Sequence, residues 1–177
     1  ITGPLRVGVI PTMAPYLLPR IVPVIASRYP HAELRLRESK TDELVAHVRE
    51  GSLDLGLLAL PLTDEHGLTT EPLARDPFLL AVPTHHALAD RRRPLSIDTL
   101  ADYEVLLLED GHCLREQALD VCKLAGAHSR TVHDTSLSTL TQIVASGTGV
   151  TLLPASAAAV EARPGAGVTM RAFGRPE

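Results

Sequence analysis

With 177 residues, 45% of them apolar and 21% charged, the chain can bury a hydrophobic core in one or two compact domains without disulfides or metals to hold it. A formal net charge of −4 and the absence of tryptophan argue against a nucleic-acid surface on this segment, and the one dense basic run, DRRRP at 90–94, reads as a solvated loop. No apolar run approaches the roughly 20 residues of a membrane span, and ITGPLRVGVIP lacks both the basic start and the cleavage site of a signal peptide, so a cytoplasmic protein with reduced thiols and no membrane partner is expected.

Strand-like and helix-like runs alternate along the chain. LRVGVI at 5–10 is short, apolar and β-branched, and PYLLPRIVPVIASRYP reads as a helix entered through Pro15. AELRLRES at 32–39 alternates as a half-buried strand. TDELVAHVREG follows with Thr41 as N-cap, Leu44, Val45 and Val48 on one face, and Gly51 as the stop. DLGLLAL at 54–60 is expected to be a buried strand. The polar, turn-rich stretch 61–77 marks the crossing to a second lobe, giving lobes over 1–75 and 76–177.

Further on, FLLAVP (78–83), VLLL (105–108), RTVHD (130–134) and GVTLLP (149–154) are strand candidates. Helices fill the gaps at about 95–102, 114–125 and 137–146, the last capped by Ser136 or Thr135 and ended by Gly147. The alternation predicts an α/β protein of two lobes with mainly parallel strands and a cleft.

Ligands of open α/β sheets bind outside the carboxyl ends of the strands, where Thr12, Thr41 and the EDGHC segment fall. A threonine after a strand also serves as a cap or turn residue, most plainly at Thr41. No metal is expected, since the eight His and two Cys include no C-x-x-C or H-x-x-x-H spacing. Neither a G-x-S-x-G elbow nor a complete dinucleotide fingerprint occurs, and no cofactor is expected.

The two thiols, Cys113 and Cys122, remain. Cys113 sits at or just before a helix start, beside His112 and Arg115 in sequence, features that favour the reactive thiolate. The alternative, a small buried hydrophobe, stands equally. Cys122 shares an apolar face with Ala118, Leu119, Val121 and Ala125 and is expected to pack inward. On one continuous helix the two Cα atoms would lie about 13.5 Å apart on opposite faces, whereas a disulfide needs roughly 4.4–6.8 Å. Either the cysteines never meet, or they meet when the segment between them melts.

EDGHCLREQALDVC closely resembles the redox segment of the OxyR family, the peroxide-sensing branch of the LysR-type transcriptional regulators. IPTMAPYLLPRIVPVIASRYP, ELRLRESKTDELVAHVREGSLDLGLLAL and GTGVTLLP are typical of the effector-binding region of LysR-type regulators broadly, so nearly the whole chain is covered. The resemblance implies two Rossmann-like lobes of the periplasmic-binding-protein type, a homodimer (a tetramer in a full-length protein), and a DNA-binding N-terminal winged helix-turn-helix outside this segment. It implies hydrogen peroxide as the ligand, Cys113 as peroxidatic and Cys122 as resolving cysteine. Thr12, Thr41, Gly111 and His112 would hold the peroxide, Arg115 would support the thiolate, and glutaredoxin or thioredoxin would restore the thiols. The family's usual Leu-Arg-Asp-Gln is here Leu-Arg-Glu-Gln, which moves any role of that carboxylate to Glu116. The strand and helix that return to complete the first lobe in the family would follow RAFGRPE, so a first lobe short of core is expected. The chain is thus expected to be a sensing domain rather than an enzyme. The alternative is a LysR-type or solute-binding module for a small organic effector with redox-inert cysteines.

Overall fold

The computed structural model describes residues 2–133 and 135–174. The chain divides into two compact units, Ile1–Ala74 with Gly111–Cys113, and Arg75–Asp110 with Leu114–Glu177.

The first unit is built on a three-stranded parallel sheet of order β2-β1-β3, from β1 (Gly3–Val9), β2 (Ala32–Glu38) and β3 (Leu55–Leu57). Helices α1 (Ala14–Arg28) and α2 (Thr41–Arg49) make the crossovers that parallel strands require. Central β1 carries the apolar load, with Val7 and Val9 buried. Gly8 lies between them because a Cβ there would stand 2.6 Å from the Leu44 side chain and 2.7 Å from that of Leu53. Leu44 and Leu53 join Ile10 in a buried cluster under the sheet's carboxyl end.

Three expectations for this unit change. Thr41 is not the N-cap of α2: Lys40 takes the extended backbone of the cap (φ −64°, ψ 160°) without a side-chain cap bond, and Thr41 is already helical. The 54–60 strand shrinks to Leu55–Leu57 and is only partly buried, because β3 is an edge strand paired to β1 alone. The second half of β2, the other edge, is exposed, with Leu36 at 45%. Asp54 is tied back to β1, accepting bonds from the Arg6 backbone N–H (2.7 Å) and from its guanidinium (2.6 and 3.2 Å).

The second unit holds a five-stranded sheet of order β6-β5-β7-β4-β8, from β4 (Phe78–Pro83), β5 (Glu104–Leu107), β6 (His128–Thr131), β7 (Val150–Pro154) and β8 (Val168–Ala172). This sheet is mixed rather than mainly parallel. β5 runs parallel to β6 and β7, while β4 lies between β7 and β8 and is antiparallel to both. The strand candidate at 130–134 is β6, begun two residues earlier and ended at Thr131; Asp134 lies outside the described residues. The helix expected over 95–102 is a short 3-10 turn, Ile97–Asp102, with Ser96 accepting the Asp98 N–H.

Helices α3 (Cys113–Ala125), α4 (Leu137–Ala145) and the short α5 (Ala158–Glu161) complete the unit. Ser136 caps α4, its hydroxyl accepting the Thr139 N–H at 3.1 Å. The main core gathers Leu80, Val82, Leu88, Leu100, Val105 and Leu152 from sheet and loops with Ala118 and Cys122 from α3. Thr151 is buried in β7 and donates to the Leu106 carbonyl of β5 at 2.7 Å, so its hydroxyl is satisfied within the sheet. Among the described residues no helix is long and apolar enough to cross a membrane.

Candidate functional site

The site is assembled at the carboxyl ends of β1 and β2. Thr12 follows β1 and is 4% exposed. Thr41 opens α2 after β2, and its Oγ1 is buried with no hydrogen-bond partner among the described residues. A buried hydroxyl without a partner costs about 1–3 kcal/mol, so a site that keeps one has a polar acceptor or donor to offer a ligand.

Gly111, His112 and Cys113 belong to this same first unit although they lie far along the chain. Gly111 has φ +89°, which a side-chain-bearing residue adopts only with strain, and this turn sets Cys113 as the first residue of α3. Cys113 is half-buried and packs against Ile10, Leu44 and Leu53, two residues before Thr12 in one case and one turn after Thr41 in another. His112 is half-buried. Thr12, Thr41, Gly111, His112 and Cys113 therefore fall in one unit, whereas the sequence reading places residues 111–113 in the second lobe over 76–177.

Arg115 is placed differently. It lies in the second unit at 16% side-chain exposure, where its guanidinium meets Asp110 at 3.0 Å and Glu116 at 2.7 Å, while its buried Nε has no acceptor among the described residues. Residues two apart on a helix do not face each other, so adjacency to Cys113 in sequence does not aim the guanidinium at the sulfur. Glu116, the departure from the family's usual aspartate, is one of the two carboxylates that hold Arg115.

Cys122 sits in the third turn of α3, 1% exposed among the core residues of the second unit. Burial pushes its thiol up, so it stays protonated and a poor nucleophile while the helix is intact. Both cysteines are free. The helix places them nine residues and about 13.5 Å of axial rise apart. Sequence reasoning passed over one residue of the site, Lys40, whose side chain lies across Gly111; its Cδ is 3.0 Å and its Nζ 3.6 Å from where a Cβ at Gly111 would stand. Its position as the residue before Thr41 was the only signal available.

The model of the LysR substrate binding domain matches residues 1–174. The chain is 46% identical over 175 residues to a probable hydrogen peroxide-inducible genes activator of Mycobacterium avium, covering 97% of this chain and 56% of that protein. It is 45% identical over 157 residues to the DNA-binding transcriptional dual regulator OxyR of Escherichia coli K12, covering 88% and 51%. The chain thus spans about half the length of these relatives. Among solved structures, it matches the reduced form of the OxyR regulatory domain from Pseudomonas aeruginosa with TM-score 0.87 at 35% identity, covering 99% of this chain and 84% of that one. It matches the oxidized form of an OxyR with TM-score 0.86 at 42% identity, covering 100% and 82%. An α/β architecture of the periplasmic-binding-protein type is common to these regulatory domains, and this chain belongs to the LysR substrate-binding domain family, with OxyR regulatory domains among its relatives.

Proposed function

We propose that this chain is the hydrogen-peroxide-sensing regulatory domain of a transcriptional regulator, and that it switches by joining Cys113 to Cys122. The observation that carries this reading is the placement of two free thiols at the first and tenth residues of a single helix, one half-buried, the other in the core. The names of the relatives, peroxide-inducible activators among them, supply the oxidant.

The Cys113 thiolate attacks one peroxide oxygen. An S–O bond forms as the O–O bond breaks, the sulfur loses two electrons, and the second oxygen leaves as hydroxide and takes a proton to become water. Thr12 and Thr41 offer hydroxyls to hold the peroxide, with the turn at Gly111 and the His112 side chain completing the enclosure. Arg115 contributes by holding the first turn of α3 through Asp110 and Glu116. The sulfenic acid persists until α3 melts. Melting frees Cys122 from the core, its thiolate forms in water and attacks the Cys113 sulfur, and the sulfenic hydroxyl departs as water.

In the full-length regulator the changed segment alters a homodimer or tetramer that contacts DNA through a helix-turn-helix domain outside this segment. A glutaredoxin- or thioredoxin-type dithiol reverses the reaction. Trypsin supplies the test, because cleavage at Arg92, Arg115 and Lys123 separates Cys113 on peptide 93–115 from Cys122 on peptide 116–123. Peroxide should yield these two peptides joined by a disulfide, and Cys122→Ser should instead accumulate a dimedone adduct on peptide 93–115. Two thiols that still titrate after peroxide would sink the proposal in favour of an organic-effector module.

A further inference from the structure

We propose that the arginine loop joining β4 to the Ile97–Asp102 turn is a docking surface for an acidic segment of a partner protein, a role separate from the cysteine chemistry. Arg91, Arg92 and Arg93 follow one another, all three are exposed, and none makes an ion pair or a side-chain hydrogen bond among the described residues. Asp90 is the one carboxylate between Thr84 and Pro94. A fourth guanidinium lies against the loop. Arg171 of β8 donates to the Ala89 carbonyl at 3.3 Å and to the Arg93 carbonyl at 2.8 Å, while its buried Nε has no partner among the described residues. These acceptors are carbonyls, so no carboxylate ion pair neutralises Arg171 either. Four such cations meet at one loop of a chain whose net charge is −4.

The backbone that carries these arginines is tied down on both sides. Leu88 and Leu95, 1% and 3% exposed, bury the flanks of the basic run. His86, Ala89 and Arg91 donate their backbone N–H groups to the carbonyls of Pro83, His86 and Leu88, and the His86 ring accepts the Leu88 N–H at 3.2 Å. Leu95 donates to the Ala172 carbonyl and accepts from the Gly174 N–H. A loop held in this way loses little freedom when a partner binds, so more of the contact energy is realised as affinity. Each guanidinium presents paired N–H groups that match the two oxygens of a carboxylate. Duplex DNA fits less well, because a duplex is commonly held through about 6–10 phosphate contacts, more than three free arginines on an acidic chain supply. A short acidic peptide needs only as many carboxylates as the loop has arginines.

The test follows the fluorescence anisotropy of a fluorescein-labelled poly-glutamate peptide titrated with the full chain at low salt. The loop variant Arg91→Gln/Arg92→Gln/Arg93→Gln is compared with wild type and with a charge-matched control, Arg20→Gln/Arg28→Gln/Arg163→Gln, drawn from exposed arginines elsewhere. Because all six side chains are exposed, both variants should keep the wild-type melting temperature. The loop variant should bind about tenfold or more weakly, as the loss of three exposed ion pairs predicts, and the control should stay within about twofold of wild type, its charges being screened from the loop by distance. Arg91→Lys/Arg92→Lys/Arg93→Lys should fall between them, since it keeps the charge and loses the fork. A wild-type chain that ignores the peptide overturns the proposal, as does a loop variant that binds like wild type or a control that loses as much as the loop variant. A labelled DNA duplex that wild type holds more tightly than the peptide, and the loop variant releases, would overturn it in favour of nucleic acid. None of these readings involves the thiols, so each leaves the peroxide-sensing proposal to its own test.

Discussion

If α3 must melt before Cys122 can reach Cys113, the rate of disulfide formation should track the stability of that helix. Asp120 offers a clean handle, because it lies mid-helix with a side chain 71% exposed and only a surface ion pair to Lys123 at 3.1 Å. Asp120→Ala and Asp120→Gly both remove that pair, which is worth little at such exposure. They differ from each other by about 1 kcal/mol of helix propensity in favour of alanine. With RT at about 0.6 kcal/mol, the melted population of the glycine variant exceeds that of the alanine variant about fivefold. Its disulfide should form about fivefold faster, provided melting is a pre-equilibrium. The first step should be indifferent, since neither variant touches the Cys113 loop. A quench series read by mass spectrometry separates the two phases, following dimedone-trapped sulfenic acid and then the linked peptides 93–115 and 116–123. Equal disulfide rates in the two variants would refute helix melting as the gate, whatever the fate of the thiols.

Three further outcomes test the fold that supports the switch. Gly149→Ala should cost about 3 kcal/mol or more, because φ is +80° and the new Cβ would stand 2.8 Å from the Glu104 carbonyl oxygen, where backbone has no room to move; urea unfolding measures it, and a loss under 1 kcal/mol would contradict the packing. Ser136→Ala should cost about 1 kcal/mol through the lost bond to the Thr139 N–H, seen as a fall of a few degrees in melting temperature. Arg6 holds the Asp54 carboxyl down to about 2, below its unfolded range, so its contribution is present above about pH 4 and is lost as pH falls toward 2. Asp54→Asn should flatten that part of the acid-unfolding curve and leave the curve above pH 5 parallel to wild type.

Much of this architecture is local and therefore legible. β4 falls at Phe78–Pro83 as its apolar run dictates, α4 begins at its serine cap, and Cys113 and Cys122 take the helix-start and core positions that the apolar spacing of α3 implies. What could not be read is set by distant pairing. β8 at Val168–Ala172 escaped notice because five residues bounded by a glycine become a strand only through pairing with β4, some 90 residues earlier. The antiparallel direction of β4 has the same origin. Thr41 was displaced from the cap by a single backbone turn at Lys40, a difference invisible to residue preference. The resemblance makes Arg115 the support of the Cys113 thiolate, and sequence alone does not show that its guanidinium also pairs with Asp110 and Glu116. Lys40 reaches Gly111 across about 70 residues of chain, so only the fold reveals it.

The proposed switch also links the helix to the reduction potential. The reduced state keeps α3 with Cys122 packed beside Ala118 and Ala125, and the oxidised state must give up that packing to close the disulfide. Whatever stabilises the helix therefore opposes oxidation by the same free energy, since both belong to one thermodynamic cycle. For a two-electron couple 1.4 kcal/mol corresponds to about 30 mV. The difference of about 1 kcal/mol between Asp120→Ala and Asp120→Gly should thus lower the potential of the glycine variant by about 20 mV relative to alanine. Equilibration against glutathione buffers of graded ratio reads this directly. Potentials that coincide within a few millivolts would mean that the helix survives in the oxidised state. The burial of Cys122 would then be a feature of the core alone, with no part in timing the response to peroxide.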